Sequence, residues 1–225
     1  MTLDFASVLS RWPMFADGAW MTIRLAAGAT LIGWAIGTVC AIARRSNLAW
    51  ARRASTMYVE VIRNTPLLVQ IFLVYFGLAS LGLKLPAVSV ALAALTINVG
   101  AYATEIMRAG FDSIHKGQLE AAECLALSRR QVYWHVVLLP AMERVYPALT
   151  SQFVLLMLAT SVCSQISAEE LTAVANFVQS DTYRPFETYI VAGVGYVLLS
   201  LVMRAGLWGL GMLLFPRRRR LGTAL

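Results

Sequence analysis

Where this chain places its charges limits what it can fold into. Asp, Glu, Lys and Arg are missing from five stretches: 25–43, 64–83, 85–104, 145–168 and 188–203. A bilayer-spanning helix needs roughly 20 mostly apolar residues, and the stretches approach or reach that length. With 59% hydrophobic and only 14% charged residues, the chain has more apolar surface than a soluble domain of 225 residues can hide. The runs are continuous rather than alternating, which favours helices over a β-barrel. The pattern predicts an all-α polytopic membrane protein with helices over about 18–43, 58–81, 86–108, 145–166 and 188–212. Arg24 and Arg204 fall within the first and last of these, where a long side chain can snorkel to the polar layer. Residues 1–17 lack a cationic start, and Asp4 and Asp17 interrupt them, so the first helix is expected to stay in the mature protein.

Basic residues set the expected orientation. Arg44, Arg45, Arg52 and Arg53 lie between the first two helices. Arg108, Lys116, Arg129, Arg130 and Arg144 lie around the third connection, and Arg217–Arg220 end the chain. These thirteen face only Arg11, Lys84 and Arg184 on the other side. Because positive loops stay cytoplasmic, the N-terminus is expected outside and the C-terminus inside. The chain then divides into an outer segment 1–17, a membrane domain 18–216 and a basic tail 217–225. The net charge of +7 reads as topology and attraction to anionic lipid rather than nucleic-acid binding.

The segment 109–144 is too long for a simple connector. Residues 117–127 (GQLEAAECLAL) are good helix formers, and Ser128-Arg129-Arg130-Gln131 fits a capping box opening a second short helix through about Leu138. Pro140 and Pro147 are expected to bend the chain beyond it.

The run GQLEAAECLALSRRQVYWHVVLLPA resembles the EAA loop of bacterial ATP-binding-cassette (ABC) import permeases. Glu120, Ala121 and Ala122 match, and Val136 and Leu138 fall at that pattern's Ile and Leu positions. Two positions depart: the pattern's Gly is Ala126, and its Pro is Leu139, with the proline one residue later at Pro140. Ala in a left-handed turn would lose roughly 1–2 kcal/mol. Three further blocks resemble the polar-amino-acid branch of the same family: Arg63-Asn64-Thr65-Pro66-Leu67-Leu68-Val69-Gln70, then Gly100-Ala101-Tyr102-Ala103-Thr104-Glu105-Ile106-Met107-Arg108-Ala109-Gly110, then Thr160-Ser161. The last matches a K-D-T-S-L motif whose Lys and Asp positions hold Leu158 and Ala159.

The resemblance implies a type I ABC importer permease fold in a bacterial inner membrane. It also implies a coupling helix that docks on a separate ATPase, with Gly117, Glu120, Ala121, Ala122, Ala126, Leu127 and Ser128 at the contact. The implied partners are an ATPase dimer, a second permease chain (identical or paralogous) and an extracytoplasmic amino-acid-binding protein. ATP and magnesium would belong to the ATPase, and this chain would bind no cofactor. The motifs are common to permeases for acidic, basic and amide amino acids.

Polar residues inside the spans are costly unless they meet partners or a water-filled route. Asn98, Tyr102 and Glu105 fall at i, i+4 and i+7 on one face, with Arg108 placed to pair with Glu105. They are pathway candidates, together with Thr160, Ser161 and Ser164; Thr160, Ser164 and Ser167 would share a helical face. Structural roles compete at each position: ion pairing for Glu105–Arg108, hydrogen bonding within the helix for the hydroxyls. Gly33 and Gly37 form GxxxG, which reads as close helix packing. Segment 167–187 is net acidic and reads either as a solvated loop or as a contact for a binding protein. The chain has no GxxxxGK[ST], GxSxG or HExxH motif, and its three cysteines and two histidines have no ligand spacing. No catalytic or metal-binding residue is expected. The rival reading is an ion-coupled carrier working alone, with Glu105 as its protonation site; a structural anchor fits poorly with the polar residues inside the spans.

Overall fold

The computed structural model describes residues 3–215; the basic run Arg217–Arg220 lies outside the described residues. Ten α-helices follow in order: α1 (Ala6–Leu9), α2 (Trp12–Arg45), α3 (Ala49–Arg63), α4 (Leu67–Ser80), α5 (Ala87–Asp112), α6 (Lys116–Cys124), α7 (Arg129–Gln131), α8 (Leu139–Ala159), α9 (Leu171–Thr182) and α10 (Pro185–Leu214). A π-helical stretch, Val132–Leu138, joins α7 to α8, and a 3-10 turn, Thr160–Ile166, extends α8. Four spans are continuous: α2, α5, the run Arg129–Ile166 and α10.

The second expected helix, 58–81, is broken. Helices α3 and α4 meet at 109° across Asn64-Thr65-Pro66. Proline drives the preceding residue away from helical geometry and lacks the N–H to continue the ladder. Gln70 closes the corner: its Nε2 donates to the Ile62 carbonyl at 2.7 Å, the Thr65 carbonyl at 3.0 Å and Thr65 Oγ1 at 2.8 Å. The prolines expected to bend the fourth span do not break it. Pro140 sits in the first turn of α8, where its missing N–H costs least, and the wider π turns before it make room for its ring. Pro147 lies within α8.

Helix α5 is the centre of the bundle, and α2 lies closest to it. A Cβ on Gly37 would stand 2.6 Å from Ala103 Cβ and 2.8 Å from Thr104 N, and one on Gly33 3.1 Å from Gly100 N. The GxxxG pair therefore packs helices within the chain. One core gathers Leu25, Ile71, Leu95, Val99, Leu156 and Ile166; another, at the α6 end, gathers Met107, Phe111, Ala141 and Leu149. Helix α10 is mostly exposed and shows Leu198, Leu201 and Val202 outward.

Segment 167–187, read as a solvated acidic loop or a contact for a binding protein, is mostly helix α9, with Leu171, Ala175 and Val178 buried. Its acids are largely spoken for. Asp181 pairs with Arg11 at 2.6 Å, and Glu187 lies 3.5 Å from Arg184 while accepting from the Asp4 N–H. Glu170 is fully buried. It caps α9, accepting from Thr172 N at 3.0 Å, Ala173 N at 2.8 Å and the Tyr196 hydroxyl at 2.7 Å. Burial pushes its carboxyl above the usual range, and these bonds pull partly the other way.

Candidate functional site

Two places carry chemistry. One is the turn between α6 and α7. Helix α6 ends in a Schellman motif: Leu127 N donates to the Ala122 carbonyl at 3.1 Å and Ala126 N to the Glu123 carbonyl at 2.9 Å. This motif puts its central residue in the left-handed region, and Ala126 is there at φ 52°. The turn keeps its shape although Ala replaces the expected Gly. Ser128 then forms the anticipated capping box, its N–H donating to Gln131 Oε1 at 2.9 Å while its Oγ receives Gln131 N at 3.4 Å. Two signals in a row thus turn the chain within four residues.

Around this turn Gly117, Glu120, Ala121, Ala126 and Ser128 are exposed and Leu127 is half-buried. Leu125 stands out at 73% exposed. Ala122, expected at the docking contact, is only 3% exposed and packs inward. The outward face of α6 is therefore Glu120, Ala121 and Glu123, with Leu125 beside it.

The other place is a row of cavities beside α5. The first, about 320 Å3, lies among Thr65, Pro66, Asn98, Tyr102, Gln152, Leu155 and Ala159. The second, about 270 Å3, is lined by Glu60, Arg63, Asn64 and Tyr102. The third, about 480 Å3, lies toward the α6 end among Arg63, Glu105, Arg108 and Arg144. Tyr102 is common to the first two and Arg63 to the last two, and the Arg63 guanidinium sits 5.5 Å from the centre of the Tyr102 ring. That is a cation–π contact.

The expected face of α5 is thus assembled, but each group also has a structural bond. Asn98 is buried, and its Nδ2 donates to Gln70 Oε1 at 2.9 Å, tying α5 to the α3–α4 corner. Glu105 pairs with Arg108 at 2.9 Å, with Arg44 of α2, and with Arg63 of α3 at 3.9 Å. One carboxylate thus holds three helices. Arg108 also meets Asp112 at 2.8 Å.

The hydroxyls fall differently from the expectation. Thr160, Ser161 and Ser164 lie in the 3-10 turn, where three residues make a turn, so Ser161 and Ser164 share a face and Thr160 does not. Thr160 is fully buried and bonds the Met157 carbonyl at 2.7 Å. Ser161 bonds that of Leu158 and Ser164 that of Ser161, each at 2.8 Å. Ser167 ends the turn in left-handed geometry at φ 62°. Sequence reasoning missed Gln152, an amide inside an apolar span that faces the first cavity; its polarity there was the available signal. It also missed Arg44 and Arg63 as partners of Glu105, since sequence distance hides contacts between helices.

A helical membrane domain of four continuous spans and one broken one, with an exposed turn at one end and polar cavities along its central helix, is the frame of a membrane transport subunit. The family model for the inner membrane component of binding-protein-dependent transport systems matches residues 30–207. The chain belongs to this family, and it is a multi-pass inner-membrane permease rather than an enzyme. The octopine transport system permease protein of Rhizobium radiobacter is 30% identical over 97% of this chain and 93% of its own length. The glutamine transport system permease protein of Escherichia coli (strain K12) is 32% identical over 90% of this chain and 94% of its own length. A crystal structure of an amino acid ABC transporter with histidines aligns with TM-score 0.86 at 36% identity, covering 97% of this chain and all of that one. A chain of the methionine ABC transporter MetNI, in an inward-facing conformation, aligns with TM-score 0.75 at 15% identity, over 91% of this chain and 98% of that one; it has the same fold.

Proposed function

We propose that this chain is the permease of an importer for a polar amino acid, driven by a separate ATPase that docks on the turn between α6 and α7. The observation that carries this is the outward face of α6. Glu120, Ala121, Glu123 and Leu125 stand free of the chain's own core on a turn held by a Schellman motif and a capping box. A rigid projection with small, apolar and acidic groups suits a groove on a partner. ATP and magnesium would sit in that partner. Two permease chains, identical or paralogous, would enclose the pathway, with the cavity among Asn98, Tyr102 and Gln152 along it. An extracytoplasmic binding protein would deliver substrate at the α9 end. The excess of basic residues supports a cytoplasmic α6 end.

The relatives named for glutamine and octopine, and the structural neighbour with histidines, support a polar amino acid as cargo. The carrier reading is weaker, because Glu105, its protonation site, is held among three guanidinium groups. The test uses Ala121→Trp and Glu120→Lys. Both should insert normally yet lose co-purification with the ATPase, or lose substrate-stimulated ATP hydrolysis in liposomes. An overpacked interface costs ~1–3 kcal/mol, and 1.4 kcal/mol is about tenfold in association. Full co-purification and parental transport by both variants would remove the turn as the docking site. Transport by the purified chain alone would favour the carrier.

A further inference from the structure

A cavity of about 500 Å3 opens between α8 and α10, lined by Tyr146, Thr150 and Ser151 on one side and Leu201, Arg204 and Trp208 on the other. It is separate from the row beside α5. Arg204 is exposed on the outward side of a span whose other outward residues are apolar, and it makes no ion pair among the described residues. A guanidinium in that position is costly unless it reaches the polar layer or meets an anion.

Its depth follows from one bond. The Tyr146 hydroxyl donates to the Leu207 carbonyl at 2.6 Å while its ring packs on Gly211 and Phe215, so the ring lies along the last turns of α10, from Leu207 onward. Arg144, two residues earlier, bonds the Ser113 carbonyl just past the end of α5. Arg204 is therefore about 5 Å deeper than Leu207, at 1.5 Å per residue. From there its side chain reaches back to headgroup level on the α6 side.

We propose that this cavity binds the phosphate of an anionic phospholipid from the leaflet at the α6 end. Arg204 is the cavity's single formal charge and matches the single negative charge of a phosphodiester. The exposed Ser151 hydroxyl supplies a further donor, and the Thr150 hydroxyl beside it is buried in the wall without a hydrogen-bond partner. Trp208 has the amphipathic ring that suits this boundary. Leu201 and the exposed face of α10 offer an apolar track for an acyl chain, which a free phosphate does not need. The site does not depend on which substrate is carried.

The test uses the detergent-solubilised permease–ATPase complex, stripped of lipid. It is titrated with dioctanoyl phosphatidylglycerol, dioctanoyl phosphatidylcholine and inorganic phosphate, and bound adducts are counted by native mass spectrometry. One phosphatidylglycerol per permease chain is expected, with phosphatidylcholine at least tenfold weaker and no phosphate adduct. Arg204→Gln should weaken phosphatidylglycerol binding at least tenfold, and Arg204→Lys should retain it. Should Arg204→Gln fail to fold, Leu201→Trp keeps the charge and fills the cavity, and it should also block the adduct. Equal binding of the two lipids, unchanged binding by Arg204→Gln or by Leu201→Trp, or a phosphate adduct of equal strength would overturn the proposal. So would a disulfide between two permease chains carrying Leu201→Cys in native membranes, which would assign the cavity to the subunit interface.

Discussion

Replacing Ala126 by glycine should tighten the turn between α6 and α7. Ala126 holds φ 52°, where its Cβ crowds the backbone. The left-handed region costs an L-residue about 1–2 kcal/mol, and glycine has no such cost. Glycine gains more freedom when the turn opens, which returns about 0.4–1 kcal/mol. The difference favours the variant by about 1 kcal/mol, a factor of about five in the opening equilibrium. The hydrogen bond to watch is Leu127 N to the Ala122 carbonyl, because it closes the motif. Hydrogen exchange at Leu127 should slow about fivefold in Ala126→Gly while amides in α5 are unchanged. Ala126→Val should do the reverse, since branching at Cβ worsens the clash. Equal or faster exchange at Leu127 in Ala126→Gly would refute the assignment of strain to this residue.

Other outcomes follow from the same contacts. Glu105→Gln leaves Arg44, Arg63 and Arg108 without their shared anion, and should lower stability of the detergent-solubilised chain by about 2–4 kcal/mol; an unchanged melting temperature would mean the guanidiniums find other partners. Gly37→Leu pushes a side chain into the Thr104 backbone and should cost about 3 kcal/mol or prevent folding, as read by monodisperse yield. For Glu170 the carboxyl is raised in the folded chain, so the native state binds more protons between the ordinary carboxylate range and its raised value. Its contribution is present below that range and is lost as pH climbs through the raised value, so the melting temperature should fall with rising pH and the curve for Glu170→Gln should be flatter. Parallel curves for the two proteins would assign the dependence elsewhere. A reporter joined after Leu214 should be active only as a cytoplasmic fusion; activity on the other side would reverse the orientation.

Span count was legible because the bilayer demands a minimum apolar length, which gaps between charges report directly. Glycine spacing at Gly33 and Gly37 also told the truth, because small residues at i and i+4 have few uses inside a span other than close approach. Local signals succeeded where all their partners are near in sequence, as with Ser128 and Gln131. They misled where a proline acts with its surroundings. Pro66 broke a helix that the apolar run 64–83 suggested was whole, and Gln70, four residues on, holds the corner. At Pro140 and Pro147 the span runs on, one at the junction of the π stretch with the first turn of α8 and the other inside α8. Ala122 turns inward for a reason the motif does not carry: a motif gives identities, whereas the inward or outward face depends on how the helix is laid against its neighbours.

The unbroken run from Arg129 to Ile166 decides how the two functional places relate. Ser128 caps its start beside the exposed turn, and Gln152, Leu155 and Ala159 on the same helix form a wall of the cavity near Asn98. That separation is roughly 35 Å at 1.5 Å per residue, with no loop between. A helix this long transmits a tilt but not a rotation confined to one end, so displacing the α6–α7 turn must move the cavity wall or distort the π stretch. The opposite wall behaves differently. Thr65, Pro66 and Asn98 are tied together through Gln70, and Glu105 fastens α5 to α2 and α3. A partner docked on the turn would therefore load the Gln152 wall directly, and the Asn98 wall only through the core shared by α5 and α8 and the Arg144–Ser113 bond. Breaking the fastening with Gln70→Leu should leave ATPase binding intact while reducing substrate-stimulated hydrolysis and uptake together. If instead ATPase binding is lost and the cavity is undisturbed, the two walls do not divide the work in this way.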